Sequence, residues 1–182
     1  MDATGARFST GDPATRKAVE VLITRLPGSS SLDELVTALS AQGLRLDAQT
    51  RFNIADALLK MALANIVNVS TEPAQAAPSL TAKPVACPLL RGDAAAGLLS
   101  TANLRHELAV LDIVAQIVTP LLDGTRDREA LVAAVAAAAA EGRVSFQRAD
   151  AQVTEPGEMA ACCEEHVDRV LADLARGACL IA

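Results

Sequence analysis

Tryptophan and tyrosine are absent from the 182 residues, and only Phe8, Phe52 and Phe146 carry aromatic rings. Proteins that bind single-stranded nucleic acid stack bases on aromatic side chains, so that class of function has almost nothing to work with here. The usual Trp and Tyr anchors of interface hot spots are missing as well. Together with 13 Arg against 3 Lys and abundant Ala, this scarcity reads as the imprint of a GC-rich genome more than as a mechanism. The four cysteines, Cys87, Cys162, Cys163 and Cys179, have neither CxxC spacing nor the density of a disulfide scaffold. They are expected as reduced thiols in or near a core. No run approaches 18 uninterrupted apolar residues, and the start Met-Asp-Ala-Thr-Gly lacks the basic and apolar regions of a signal peptide. The expectation is a cytoplasmic protein without membrane contact. GxGxxG, GKT or GKS, HExxH and GxSxG are all missing, so no catalytic, cofactor-binding or metal residue is assigned.

Positive charge is also scarce where a nucleic-acid binder would need it. The net charge is −6, and residues 1–72 hold 7 basic against 8 acidic groups, residues 73–98 hold 2 against 1, and residues 99–182 hold 7 against 13. Duplex binding draws its affinity from neutralised phosphates, so the acidic last part would be repelled over most of its surface. An apolar fraction of 51% with 21% charged residues nevertheless indicates a folded globular chain.

What the sequence does have is a motif written twice. Leu26-Pro-Gly-Ser-Ser-Ser-Leu-Asp-Glu-Leu-Val-Thr-Ala-Leu39 recurs 96 residues later, without a gap, as Leu122-Asp-Gly-Thr-Arg-Asp-Arg-Glu-Ala-Leu-Val-Ala-Ala-Val135. Each copy reads as a helix end, a glycine turn, a hydroxyl or acidic N-cap and a second amphipathic helix. In the first copy, Asp12 and Pro13 open a helix reaching about Leu26, and Ser31 and Glu34 form a capping box for the next. Leu44 to Leu46 and Ile66 to Ser70 are strand candidates on either side of a third helix that starts near Asp47. The second copy repeats the order with helices at Leu111 to Leu122, Asp127 to Glu141 and Glu158 to Arg176. Its strands are expected at Arg143 to Phe146 and Ala178 to Ile181, with Gln147 to Glu155 extending the wing tip. Helix, helix, strand, helix, strand is the order of a winged helix-turn-helix. The reading is therefore mainly α with small β wings, as two tandem winged helix-turn-helix domains: residues 1–72, a Pro/Ala-rich connecting segment 73–98, and residues 99–182.

Two polar groups stand out. Cys162 and His166 share a helix face but supply only two metal ligands, where zinc needs three or four. Asn103-Leu-Arg-His-Glu107 is the densest polar cluster. Asn103, Arg105, His106 and Glu107 are read as a structural or interaction motif that caps helix one of the second copy or bridges the domains. Asp123, Gly124 and Thr125 form a second such motif, in which glycine supplies a left-handed backbone, and the same role is expected of Gly28.

These stretches carry a family resemblance. Asn103 to Glu107, Leu111-Asp112 and Thr119-Pro-Leu-Leu-Asp-Gly-Thr-Arg-Asp-Arg-Glu-Ala-Leu131 resemble the C-terminal region of bacterial SAM-dependent protein lysine methyltransferases with a methyltransferase regulatory domain. Phe8-Ser-Thr-Gly-Asp-Pro-Ala-Thr-Arg-Lys-Ala18 and Lys83-Pro-Val-Ala-Cys-Pro-Leu-Leu-Arg91 resemble earlier segments of the same region. The resemblance implies a pair of winged-helix domains without a SAM site of their own, SAM belonging to an associated Rossmann-like catalytic domain. It implies a non-catalytic module for regulation or protein-substrate recognition, partnered in cis or trans with the catalytic domain and with a protein substrate. The alternative is a free-standing winged-helix regulator that binds DNA or a peptide.

Overall fold

The computed structural model describes residues 9–72, 75–148 and 151–181. Phe8, at the head of one resembling motif, lies outside the described residues, as do positions 73–74 of the connecting segment and 149–150 of the wing tip. The chain divides into two compact units, Met1–Pro73 and Ala74–Ala182.

The first unit is three capped helices. In α1 (Pro13–Thr24) the Asp12 carboxylate accepts from the Ala14 and Thr15 amides at 3.3 and 3.0 Å, and Pro13 occupies the first position, where no amide is needed. In α2 (Leu32–Ala41) the capping box is complete: Glu34 N–H donates to Ser31 Oγ at 3.2 Å and Ser31 N–H donates to Glu34 Oε2 at 2.8 Å. Asp47 opens α3 (Ala48–Leu63) by accepting from the Thr50 amide at 2.7 Å. Ala14, Ala18 and Val21 of α1 meet Leu35 and Leu39 of α2 and Ile54 of α3 in one core.

Both strands expected in this unit are corrected. After Gly43, at φ +84°, the Leu44 amide bonds back to Leu39 O at 3.2 Å, and Leu44 and Leu46 pack on the core as irregular chain. Ile66 and Val67 fold onto Met61 O at 2.9 and 3.4 Å, closing the end of α3 instead of pairing with another strand. Alternating side chains suit a strand, but only a partner can satisfy its amides. Among the described residues, the first unit thus has no wing.

The second unit comprises α4 (Pro88–Ala95), β1 (Ser100–Ala102), β2 (Leu108–Val110), α5 (Ile113–Val118), a 3-10 turn at Thr119–Leu121, α6 (Arg128–Ala140), β3 (Gln147–Arg148), β4 (Ala151–Gln152) and α7 (Pro156–Arg176). Asp112 and Asp127 cap α5 and α6. Asp127 stands 96 positions after Ser31, and buried Leu131 and Val135 stand 96 after buried Leu35 and Leu39. The repeat offset therefore places a cap on a cap and two core residues on two core residues. Leu131 and Val135 join Val114, Val118, Val167, Val170 and Leu171 in the core, so α5, α6 and α7 pack together.

Four readings of this half are corrected. The strand expected at Arg143 to Phe146 lies later, as the antiparallel hairpin Gln147↔Gln152 and Arg148↔Ala151, because Val144 and Phe146 turn into the core. The segment read as a connector belongs to the second unit and carries α4. Ala178 to Ile181 does bridge antiparallel chain, but its partners are Ala76 and Ala86, not the wing. A hairpin that sequence reasoning missed pairs Ser100↔Val110 and Ala102↔Leu108, and Asn103 to Glu107 is its turn. That cluster therefore does not cap helix one, whose cap is Asp112.

Candidate functional site

Asn103 organises the β1–β2 turn. Its Oδ1 accepts from the Arg105 and Glu107 amides at 2.8 and 2.9 Å, which suits a side chain able to mimic backbone. Its Nδ2 donates to Glu107 Oε2 at 3.0 Å and to the Gly177 carbonyl at 2.9 Å. His106 completes the turn at φ +60°, and Arg105 Nη1 lies 4.0 Å from Glu107 Oε2. Only 8% of Asn103 is exposed, so the residue is spent on holding the fold.

Four successive carbonyls after α7 are used in this way. Gly177 O accepts from Asn103 Nδ2, Ala178 O from the Leu104 amide at 3.0 Å, Cys179 O from the Cys87 amide at 2.9 Å, and Leu180 O from the Ala77 amide at 2.8 Å. The closing segment is thus the seam that joins the hairpin turn and the former connector to the helical core.

Asp123, Gly124 and Thr125 line the other side of the same connector. Val85 bridges Asp123, and the Ala86 amide donates to Leu122 O at 2.8 Å. Asp123 Oδ1 accepts from the Thr125 amide at 2.9 Å and hydroxyl at 2.5 Å, and Oδ2 accepts from Arg126 Nη1 at 2.9 Å. The Thr125 hydroxyl foremost, then its amide and the Arg126 charge, hold this carboxyl down at about 2. Gly124 has φ +84°, as expected. Gly28 is corrected: it is not left-handed, and what excludes a side chain there is the Arg25 carbonyl oxygen, 2.9 Å from where a Cβ would sit. Neither motif presents converging groups for catalysis.

Cys162 and His166 are brought together, but by the helix itself: His166 Nδ1 bonds to the Cys162 carbonyl at 2.8 Å, and the imidazole packs 4.6 Å from the Phe146 ring. Among the described residues there is no group of three metal-type ligands.

The surfaces left over are apolar or ion-paired. Along α3, Phe52, Leu59 and Leu63 are 66, 59 and 79% exposed and form an apolar stripe. In the second unit, Leu108 and Val110 point outward from the hairpin, close in sequence to exposed Leu98, Leu99 and Ile113. An open groove of about 680 Å³ runs between α4, α5 and α6, lined by Ala94, Gly97, Ile113, Ile117, Leu121, Ala134 and Ala137 with Arg143. Several acids of α7 are paired with arginines: Arg128 clamps Asp168 at 2.6 and 2.8 Å and reaches Glu164 at 3.2 Å; from the same helix Arg169 meets Asp112, the cap of α5, at 2.9 Å. The Arg128 bond holds the Asp168 carboxyl below its ordinary value. Acids and ion-paired arginines leave this face little unpaired positive charge.

Three packed helices with a short antiparallel wing between the second and third define a winged-helix domain. The family described as PKMT, C-terminal winged helix domain, matches residues 82–179, more than half of the chain, and the chain belongs to that family. Two solved structures are similar over nearly all of it. PKMT2 from Rickettsia typhi in complex with AdoHcy superposes with a TM-score of 0.81 at 14% identity, covering 96% of this chain and 35% of that one. PKMT2 from Rickettsia typhi gives 0.79 at 14% identity, with 93 and 35% covered. At such identity the likeness is one of fold, and the chain spans about a third of the length of those structures. No curated protein matches significantly. Among the described residues, no helix is long and apolar enough to cross a membrane.

Proposed function

We propose that the chain is a non-catalytic module of a SAM-dependent protein lysine methyltransferase, working beside a catalytic domain in cis or trans to recognise a protein substrate or regulate access to it. The observation that carries this reading is the family match over residues 82–179, joined to a fold shared with only a third of a methyltransferase chain. The topology supports assigning SAM elsewhere: both sheets in the described residues are two-stranded and antiparallel, and a Rossmann-type cofactor site needs parallel strands feeding glycine-rich turns. The two units are copies of one helix-turn-helix design, the second with a wing, as the 96-residue coincidence of caps and core positions supports. Exposed apolar residues on α3 favour a protein partner over nucleic acid, and the net negative charge of residues 99–182 suits a lysine-bearing basic segment. Binding energy supplied at such a distance raises turnover only where it is expressed in the transition state.

Calorimetry tests this directly. The purified chain is expected to give no heat with SAM or AdoHcy and to transfer no methyl group, while binding a methyltransferase catalytic domain. Stoichiometric SAM binding by the chain alone overturns the proposal.

A further inference from the structure

We propose that Cys87 and Cys179 form a redox-closable pair, which a hydroperoxide joins into an intrachain disulfide that clamps the start of α4 to the end of α7. The backbone brings the two residues face to face. Ala86 bridges Leu180 antiparallel, and one step along, the Cys87 amide donates to the Cys179 carbonyl at 2.9 Å. Only one of the two ladder bonds forms here, the Cys179 amide donating to Leu174 O at 2.9 Å; in a regular ladder, residues so placed have side chains on the same face, with Cα atoms about 5.5 Å and Cβ atoms about 4.5–5.5 Å apart. A disulfide needs Cα atoms about 4.4–6.8 Å and Cβ atoms about 3.5–4.5 Å apart, so closure asks for a shift of about an ångström.

The two thiols have complementary environments. Cys87, the residue that precedes α4, is half-buried, whereas Cys179 is 2% exposed and donates weakly to Gly177 O at 3.5 Å. Burial, and then the neighbouring Cys87 sulfur, push the Cys179 thiol up to about 11. Cys87 is therefore the group an oxidant meets first. Its thiolate attacks a peroxide oxygen, the O–O bond breaks, and hydroxide leaves with the thiol's proton as water, giving a sulfenic acid. The Cys179 thiol then gives its proton to solvent, its thiolate attacks the Cys87 sulfur, the S–O bond breaks, and the departing hydroxide takes up a proton as water. In sum, two thiols and one hydrogen peroxide give a disulfide and two waters. Cys162 and Cys163 lack this geometry, since consecutive side chains on a helix diverge by about 100°.

The test treats the full chain with hydrogen peroxide, alkylates it under denaturing conditions, and maps the products by mass spectrometry. The expected result is an intact mass lower by two hydrogens and a single linked peptide pair containing Cys87 and Cys179. Because the second sulfur reacts as thiolate, its step should quicken about tenfold per pH unit between roughly 7 and 10. Cys87→Ser should show no mass loss, and its melting temperature should not respond to peroxide, whereas the oxidised parent should melt higher than the reduced one. A linked Cys162–Cys163 peptide, dimers joined through Cys87, irreversible oxidation of Cys87 with Cys179 left alkylated, or a Cys87→Ser protein that still loses two hydrogens overturns the proposal. None of these readouts depends on methyltransferase partnership.

Discussion

Asn103 and Gly177, 74 positions apart in sequence, are joined by a 2.9 Å hydrogen bond from the Asn103 amide to the Gly177 carbonyl. The same side chain satisfies two amides of its own turn. Asn103→Ala strips all of these at once and leaves buried backbone groups unpaired, at a cost of about 2–3 kcal/mol. Urea denaturation is expected to show a lower midpoint with an unchanged slope. A variant as stable as the parent would mean that the hairpin is not tied to the end of α7.

Gly124 stands where the connector presses closest. Its φ of +84° disfavours a side chain, and a Cβ there would lie 3.0 Å from Val85 Cγ2, in the residue that bridges Asp123. Gly124→Ala should destabilise by about 1–2 kcal/mol, left-handed strain accounting for the larger share. Trimming the neighbour in Gly124→Ala/Val85→Ala should recover only the contact share, which a double-mutant cycle measures.

The Asp123 carboxyl sets an acid limit. Its folded value of about 2 lies below the ordinary 3.8, so the folded state holds the proton less tightly than the unfolded state. The stability it contributes is therefore present in full above about pH 4 and is lost as the pH falls through about 2. Thermal unfolding of Asp123→Asn across that window should fall less steeply than that of the parent. Superimposable curves would show that Thr125 and Arg126 do not stabilise the charge.

The helices other than α4 were legible because their determinants are local; α4, which has no side-chain cap, lay in the segment read as a connector. Asp12, Ser31, Asp47, Asp112 and Asp127 each accept from amides two or three positions on, so a cap residue and the apolar spacing behind it reveal the element. The strands were not, since pairing depends on what lies opposite. Leu44 to Leu46 alternates but pairs with no strand among the described residues, whereas Leu180, in a segment expected to pair within the wing, bridges Ala86 from a segment that looked like a linker. Asn103 read as a cap because it is a good one, and only the Ser100↔Val110 register turns it into a hairpin residue. The exposed stripe on α3 was hidden for a related reason: periodicity identifies an apolar face but not what covers it.

That stripe separates stability from recognition. Phe52 and Leu63 are 66 and 79% exposed, so Phe52→Ser and Leu63→Ser should change the folding free energy by no more than about 0.5 kcal/mol. If the stripe carries partner binding, the double variant should weaken association with a methyltransferase catalytic domain at least about tenfold, equivalent to about 1.4 kcal/mol. Unaltered affinity would move the interface to another surface, the Leu108 and Val110 face being the next to vary.

Thr119 offers the opposite case, a polar group the core does not use. It opens the 3-10 turn after α5, is fully buried, and its Oγ1 finds no hydrogen-bond partner among the described residues. Its neighbours Val118 and Leu122 are core residues, so the hydroxyl was taken out of water without compensation. Valine has nearly the same shape and the same β-branched restriction, and it carries no group that needs a partner. Thr119→Val should therefore raise the unfolding free energy by about 1 kcal/mol, read as a higher urea midpoint at constant slope. Thr119→Ser, which keeps the hydroxyl and deletes the methyl, should lose about 1 kcal/mol. A destabilised valine variant would show that the hydroxyl is satisfied in solution, by water or by a partner docked against the turn.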